Sequence, residues 1–501
     1  MNNSISLTMI VKNEAQHLAD CLQSVKNVVD EIIIVDTGST DSTIEIADSF
    51  NAKIFHFDWI NDFSAARNFA LSKSNCDWIL YLDADERLDE ESAKKIRLLT
   101  QTDNNIGYYC TIKSYDSENY RDNTIRYIRF FRNHTEARFE GKVHEQITQS
   151  LEKLRFKFIH SDILIHHIGY DISKEGKKQK ALRNLKLLEE EYVATKSEYV
   201  LFQIAQSNFI LENYETAREN FLQLINSKSL NNQFKAESFS YLSQIFFNNF
   251  QNEQTEHYIT EAIRLNNTQT FYHLLRSKVL LRIGNISEAK KELLKALELS
   301  KNSEKLQFNN LQQVNVSAEE IIYYGLQLSY QLKDSILNSQ MKTELSKVCG
   351  KIISEFIDSL EKQEHINENK IDKLISEVSN LNLSLVVNLL SRYENKNFAL
   401  TFFEKLYKKF NDHSELIKNL SLILHSTDRT KEAITLLEEK FDIIKTDPSA
   451  LLYLAMFYLK IEKEEQALKI FNFIEKNFSS FDEMITKVKA IKEKLVKSLQ
   501  V

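Results

Sequence analysis

Proline occurs once in this 501-residue chain and glycine eight times. So few turn formers exclude a turn-rich β protein and point to long helices joined by short polar turns. Cysteine occurs four times, as Cys21, Cys76, Cys110 and Cys349, without metal-ligand spacing. Such a set builds neither a disulfide framework nor a zinc module, and buried free thiols in a reducing cytoplasm are expected. No apolar run reaches the ~20 residues needed to span a bilayer, and Lys12 and Glu14 arrive before a signal peptide could form. An excess of positive charge is also missing. The formal net charge is −7, so nothing attracts the chain as a whole to nucleic acid or an anionic membrane. What is present is ordinary for a globular protein, 43% hydrophobic and 27% charged residues. At this length two or more domains are expected.

The first 170 residues alternate strand and helix. Ile5 to Val11 reads as a short apolar strand ending in Lys12-Asn13-Glu14, and 15–25 carries Leu18, Cys21, Leu22 and Val25 at helical spacing. Glu31 to Val35 is a second buried strand, closed by Asp36-Thr37-Gly38-Ser39-Thr40-Asp41, where Asp41 or Ser39 can cap a helix over 42–50. A third strand at 53–57 leads to a helix around 62–72. Trp78 to Leu82 is then the apolar run of a buried parallel strand, and it releases Asp83, Asp85 and Glu86 at its end. Strand–helix repetition implies parallel pairing with right-handed crossovers. Glu14, Asp36, Asp83 and Asp85 therefore converge on one sheet edge, where open α/β sheets bind ligands. On an extended chain Asp83 and Asp85 point to one side, and two hard carboxylates suit Mg²⁺ or Mn²⁺ completed by substrate phosphates. Four converging acids are costly unless a cation or sugar hydroxyls compensate.

Asp36-Thr37-Gly38 also matches the aspartic-protease signature. That chemistry needs two such aspartates sharing a proton, and only one occurs, between a parallel strand and a helix. The ordered set Val11-Lys12-Asn13-Glu14, Val35 to Asp41, Ala66-Arg67-Asn68 and Leu82-Asp83-Ala84-Asp85-Glu86 instead resembles glycosyltransferase family 2, with its GT-A nucleotide-sugar fold. The resemblance covers about the first third of the chain and implies an inverting transferase that uses a nucleotide diphosphate sugar. It places Val11, Lys12, Glu14 and Asp36 at the base and ribose, and Arg67 near the nucleotide. Asp83, with Ala84 beside it, would meet the ribose or metal, and Asp85 the Mg²⁺ or Mn²⁺ that bridges the diphosphate. The plain alternative for Arg67 is a salt bridge to Asp62 or another surface acid.

Residues 106–114 and 124–132 alternate as later strands of the same domain. An inverting reaction needs a general base for the acceptor proton, and family members carry an acid at about this point in the order. Glu145 in Val143-His144-Glu145 matches best, with His144 to assist or orient it and Glu140 as competitor; the structural alternative is the start of an amphipathic helix. His166 and His167 face opposite ways if 163–167 is a strand. His167-Ile168-Gly169-Tyr170 resembles the ending of tetratricopeptide-linked family members, which implies a role for His167 at the diphosphate or metal; otherwise it is a domain-border histidine.

From Tyr199 onward strands are expected to disappear. Segments at 213–217, 252–256 and 285–289 line up, and Ala399, Ala433 and Ala467 recur at intervals of 34, the tetratricopeptide period. Glu256 stands where a small residue is expected, so that repeat reads as degenerate. Pro448 after Asp447 fits the first turn of a repeat helix. The expected organisation is a GT-A α/β domain at 1–170, a helical linker at 171–197, tetratricopeptide-like repeats at 198–300, a divergent helical region at 301–390, and repeats with a C-terminal helix at 391–501. All the chemistry precedes Tyr170; the all-α solenoid offers a surface for a peptide, for a second subunit in a homodimer, or for support of the catalytic domain. This layout resembles bacterial peptide and bacteriocin S- or O-glycosyltransferases of the sublancin-glycosyltransferase type. It implies a cytoplasmic enzyme moving a hexose from a UDP-sugar to Ser, Thr or Cys. Sugar transfer to a surface polysaccharide or lipopolysaccharide core, and a repeat scaffold with a vestigial transferase domain, are the rival readings.

Overall fold

A computed structural model describes residues 3–102, 104–116, 121–168, 174–302, 312–348, 350–478 and 482–499. The chain divides into two compact units, Met1–Ile321 and Ile322–Val501. The first begins with β1 (Ile5–Val11), α1 (Leu18–Val25), β2 (Glu31–Asp36), α2 (Thr43–Ser49), β3 (Lys53–His56), α3 (Phe63–Lys73) and β4 (Trp78–Tyr81). It continues with β5 (Glu86–Leu88), α4 (Glu90–Ile96), β6 (Ile106–Asp116), β7 (Arg121–Arg132), α5 (Thr148–Lys153) and β8 (Lys157–His167).

The sheet runs β3-β2-β1-β4-β7-β6-β8-β5. Its first four strands are parallel, and β7 pairs antiparallel with both β4 and β6. Both faces are covered, which is why the parallel strands read as unbroken apolar runs. On one face Ile5, Leu7, Met9 and Val11 pack with Leu18, Cys21, Leu22 and Val25 of α1 and with Trp78. On the other, Ile79 and Tyr81 meet Leu71, Ile128, Phe131 and Phe139. Trp78 stacks on Phe130 at 5.0 Å between ring centroids. Cys21, Cys76 and Cys110 are free thiols; Cys349 lies outside the described residues. No helix among the described residues is long and apolar enough to cross a membrane.

Glu31 ties the strand starts together. Its carboxylate accepts from Lys53 Nζ at 2.6 Å, Ser6 Oγ at 2.5 Å and the Asn75 amide at 3.1 Å. Burial would raise this carboxyl, but these donors hold it down at about 2. Because the folded-state value lies below the unfolded one, the stabilisation is complete above about pH 4.5 and is lost as pH falls toward 2. Glu31→Ala is expected to cost about 2 kcal/mol at pH 7, less than the full linkage because Lys53 is exposed and screened. Urea titrations should show this deficit shrinking between pH 4.5 and 2; an equal deficit at both ends would refute the assignment.

Beyond β8 come α6 (Lys174–Thr195), α7 (Glu198–Ile210), α8 (Tyr214–Ile225), α9 (Asn232–Asn248), α10 (Asn252–Leu265), α11 (Thr270–Arg282) and α12 (Ile286–Lys301). The expectation that strands end before Tyr199 is corrected by β9 (Gln312–Asn315), which returns to the sheet and pairs antiparallel with residues 122–125 of β7. Sequence pattern misses it because so short a strand has no periodicity of its own and depends on its partner.

The repeat register also changes at one point. In α8 and α12 a small, fully buried residue (Ala217, Ala289) lies four positions after the N-cap (Asn213, Asn285). In α10 the N-cap is Gln251, so Thr255, also fully buried, takes that position, and Glu256 is not a degenerate small residue. The same offset holds in the second unit, where Ala399, Ala433 and Ala467 follow Asn395, Arg429 and Lys463. A side chain at this point meets the neighbouring helix, so size rather than polarity decides what is accepted. Residues 318–391 are a series of helices, from Ala318–Leu332 to Leu383–Ser391.

Candidate active site

The carboxyl ends of β1 and β2 carry two interlocked loops. Thr37 donates both its amide and its hydroxyl to the Val11 carbonyl, the Glu14 amide donates to Thr43 Oγ1 at 2.8 Å, and the Ala15 amide to Asp41 at 3.2 Å. Asn13 sits at φ 56°, where its side chain accepts from the Thr40 amide. Asp36 accepts from the Gly38 and Ser39 amides inside its own turn. Lys12 is exposed. Glu14 is half-buried and faces Asp85, Asp83 and Asp41; burial first, and then these like charges, push its carboxyl up to about 7.

The chain does not stay extended after β4. The Glu86 amide donates to the Asp83 carbonyl at 2.9 Å, so 83–86 is a turn with Ala84 buried within it. The expectation that Asp83 and Asp85 point to one side of an extended chain is therefore corrected, because the turn gives the two carboxylates different partners. Asp83 pairs with Arg67 at 2.6 Å and Arg129 at 3.6 Å. Although burial works to raise it, the two guanidiniums hold Asp83 well below the usual carboxylate range. Glu86 is fully buried and pairs with Arg129 at 2.7 Å. Asp85 meets His167 Nε2 at 3.2 Å, which lowers the carboxyl against its burial and raises the imidazole against its own. His166, on the opposite side of β8, is exposed and lies 3.6 Å from Asp89. Gly169 and Tyr170 lie outside the described residues.

Arg67 does not pair with Asp62, which caps α3 instead. Its guanidinium is buried against the rings of Tyr81 and Phe139 and bridges Asp83 to Glu145. Residues 139–147 are not the start of a helix. They form a loop closed by a reciprocal backbone pair between Glu140 and Gln146, with Gly141 at φ 100° and His144 at φ 55°. Glu145 faces inward; Glu140 faces out and pairs with Lys153 at 2.7 Å. His144 is exposed.

Among the described residues no three or more His, Cys, Asp and Glu side chains converge as a metal cage. An ion here would take Asp85 and His167 as protein donors and complete its shell from a diphosphate and water, which is how Mg²⁺ and Mn²⁺ sit on phosphate substrates. The like charges of Asp85, Asp83 and Asp41 around Glu14 fit a place for a cation.

The family model Glycosyl transferase family 2 matches residues 6–164, and Tetratricopeptide repeat matches residues 272–303. The chain joins a family 2 glycosyl transferase domain to tetratricopeptide repeats. A TPR repeat-containing protein of Synechococcus elongatus is 43% identical over 30% of this chain and 37% of its own length. The SPbeta prophage-derived glycosyltransferase SunS of Bacillus subtilis is 34% identical over 37% of this chain and 44% of its own. A glycosyltransferase of Rickettsia felis is 41% identical over 21% and 36%. The chain thus spans less than half the length of the curated relatives it matches.

The family 2 domain also uses residues that pattern reading passes over. Arg129 sits where the β6–β7 register shifts, opposite Tyr108 and Tyr109, and this bulge turns it onto the Tyr81 ring, Asp83 and Glu86. Its only sequence signal is a charge in a strand core. Val143, from the loop that carries Glu145, is buried among Leu187, Leu188, Val200 and Ile204. Part of the site's support therefore lies after residue 170, in α6 and α7.

Proposed function

We propose that this chain is an inverting glycosyltransferase that moves a sugar, of the UDP-hexose type, from a nucleotide diphosphate to a Ser, Thr or Cys side chain of a peptide or protein. The observation that carries this reading is the constellation at the sheet edge. Arg67 bridges Asp83 to Glu145, and the Asp85–His167 pair adjoins it. An inverting displacement needs an acid that can accept a proton beside groups that neutralise a leaving diphosphate. In the proposed step the acceptor oxygen or sulfur forms a bond to the anomeric carbon. The bond from that carbon to the phosphate oxygen breaks, its electron pair leaves with the nucleoside diphosphate, and Glu145 takes the acceptor proton. Arg67 orients Glu145 and Asp83 together, while the loops at 11–14 and 36–41 receive the base and ribose. Asp85 and His167 would hold a divalent ion, which supplies charge neutralisation on the leaving oxygens when bound. The helical hairpins favour a polypeptide acceptor, because stacked repeats offer an extended surface.

The metal requirement is open to direct measurement. Calorimetric titration with UDP is expected to give at least about tenfold tighter binding with Mn²⁺ than with a chelator. Equal affinity in the two buffers would remove Asp85 and His167 from the role of ligands. The UDP-hexose assignment is tested by release of nucleotide from a panel of UDP- and GDP-sugars.

A further inference from the structure

We propose that Glu191, on α6, is a positioning residue for Glu145, so that the first helices after the sheet belong to the catalytic apparatus. This rests on the reading of Glu145 as the base. The loop that carries Glu145 has no regular secondary structure of its own, and two of its residues, Gly141 and His144, have positive φ. Such a loop keeps one shape only if its surroundings determine it.

The determinants are few. The Phe63 amide donates to the Lys142 carbonyl at 3.0 Å, which ties the loop to the start of α3. The Lys142 amide donates to Glu191 Oε2 at 2.9 Å. Glu191 Oε1 lies 3.7 Å from where a Cβ on Gly141 would sit, so the carboxylate nests inside the bend. Val143 anchors the next residue in the apolar cluster of α6 and α7, and the Gln146 side chain lies beside that of Tyr199 at the start of α7. Glu145 lies between these two anchors. A carboxylate about one turn from the C-terminus of α6 opposes the helix dipole, so its placement serves the loop rather than the helix.

Removing the Glu191 acceptor leaves the Lys142 amide without its partner and frees the bend on one side. Reacting groups held in near-attack geometry lose rate steeply on displacement, by about a hundredfold for ~1 Å. Donor binding is expected to be spared, because among the described residues no hydrogen bond or ion pair joins the loops at 11–14 and 36–41 or the Asp85–His167 pair to Glu191, whose carboxylate is held by the Lys142 amide.

The test compares Glu191→Ala, Glu191→Gln and Glu145→Gln in the full chain with Mn²⁺, reading nucleotide release from UDP-glucose or whichever panel sugar the wild type turns over best. In Glu191→Ala, kcat is expected to fall by about tenfold to a hundredfold with KM for the sugar nucleotide within about twofold. Glu191→Gln should recover to within about threefold of wild type, because its amide oxygen still accepts the Lys142 N–H. Amide exchange over 140–147 should accelerate in Glu191→Ala and not in Glu191→Gln. Unchanged kcat or unchanged exchange in Glu191→Ala overturns the proposal, as does a Gln variant as impaired as the Ala variant. Wild-type turnover by Glu145→Gln would instead overturn the base assignment. A silent Glu191→Ala beside an inactive Glu145→Gln would overturn only the positioning role.

Discussion

Replacing Asp85 by alanine is expected to cut sugar transfer by at least about a hundredfold, the scale of losing one preorganised electrostatic group at a developing charge. The fold should stay intact. Asp85 is a turn residue whose backbone carbonyl accepts from the Ile168 amide at 2.9 Å, a bond that the substitution does not remove, and its side chain is a quarter exposed. What disappears is one of the two proposed protein donors to the cation, and with it the negative partner of His167. His167→Ala should act in the same direction, and the double variant should be little worse than either single one, because residues acting as a unit are not additive. Unfolding midpoint and steady-state rate are measured side by side. Near-normal turnover by a folded Asp85→Ala protein would show that the leaving group is stabilised elsewhere.

The largest stability loss is expected at Arg129. Arg129→Met keeps most of the side-chain volume over the Tyr81 ring but leaves Glu86, fully buried, without its cation. Breaking a buried pair from one side costs about 3–5 kcal/mol, because the stranded charge is left uncompensated away from water. Burial already pushes the Glu86 carboxyl up against the pull of Arg129, and the variant removes that pull. A folded-state value above the unfolded one makes stability fall as pH rises, so the deficit should be larger at pH 7 than at pH 5. Glu86→Gln in the same chain should recover part of it by removing the charge. Urea denaturation of the single and double variants at both pH values is the measurement. A loss under about 1 kcal/mol would mean that Glu86 is neutral or solvated in the native protein.

The order of elements up to β4, most of the helical character after residue 174 and the meeting of Glu14, Asp83 and Asp85 were written locally. A buried parallel strand is a continuous apolar run, a helix repeats every 3.6 residues, and acids at strand ends must meet at a sheet edge whatever the rest of the chain does. These signals depend only on which side of each residue is wet. Glu14, Asp83 and Asp85 could be gathered from sequence for that reason, and Arg67, Glu145 and His167 through the resemblance of their motifs.

Other features were decided by tertiary structure alone. The sequence does not reveal that 83–86 turns, which separates Asp83 from Asp85 and buries Glu86. It does not announce the bulge that aims Arg129, the return of β9 to β7, or the one-residue register that makes Thr255 the small residue of its repeat. Nor does it place Glu191 against the amide of Lys142, 49 positions earlier. Most of these are pairings between groups distant in the chain, and their energy depends on mutual geometry that neither partner encodes alone. Local patterning sets which surfaces are buried; the packed structure sets which partner each buried charge and each loop amide finds there.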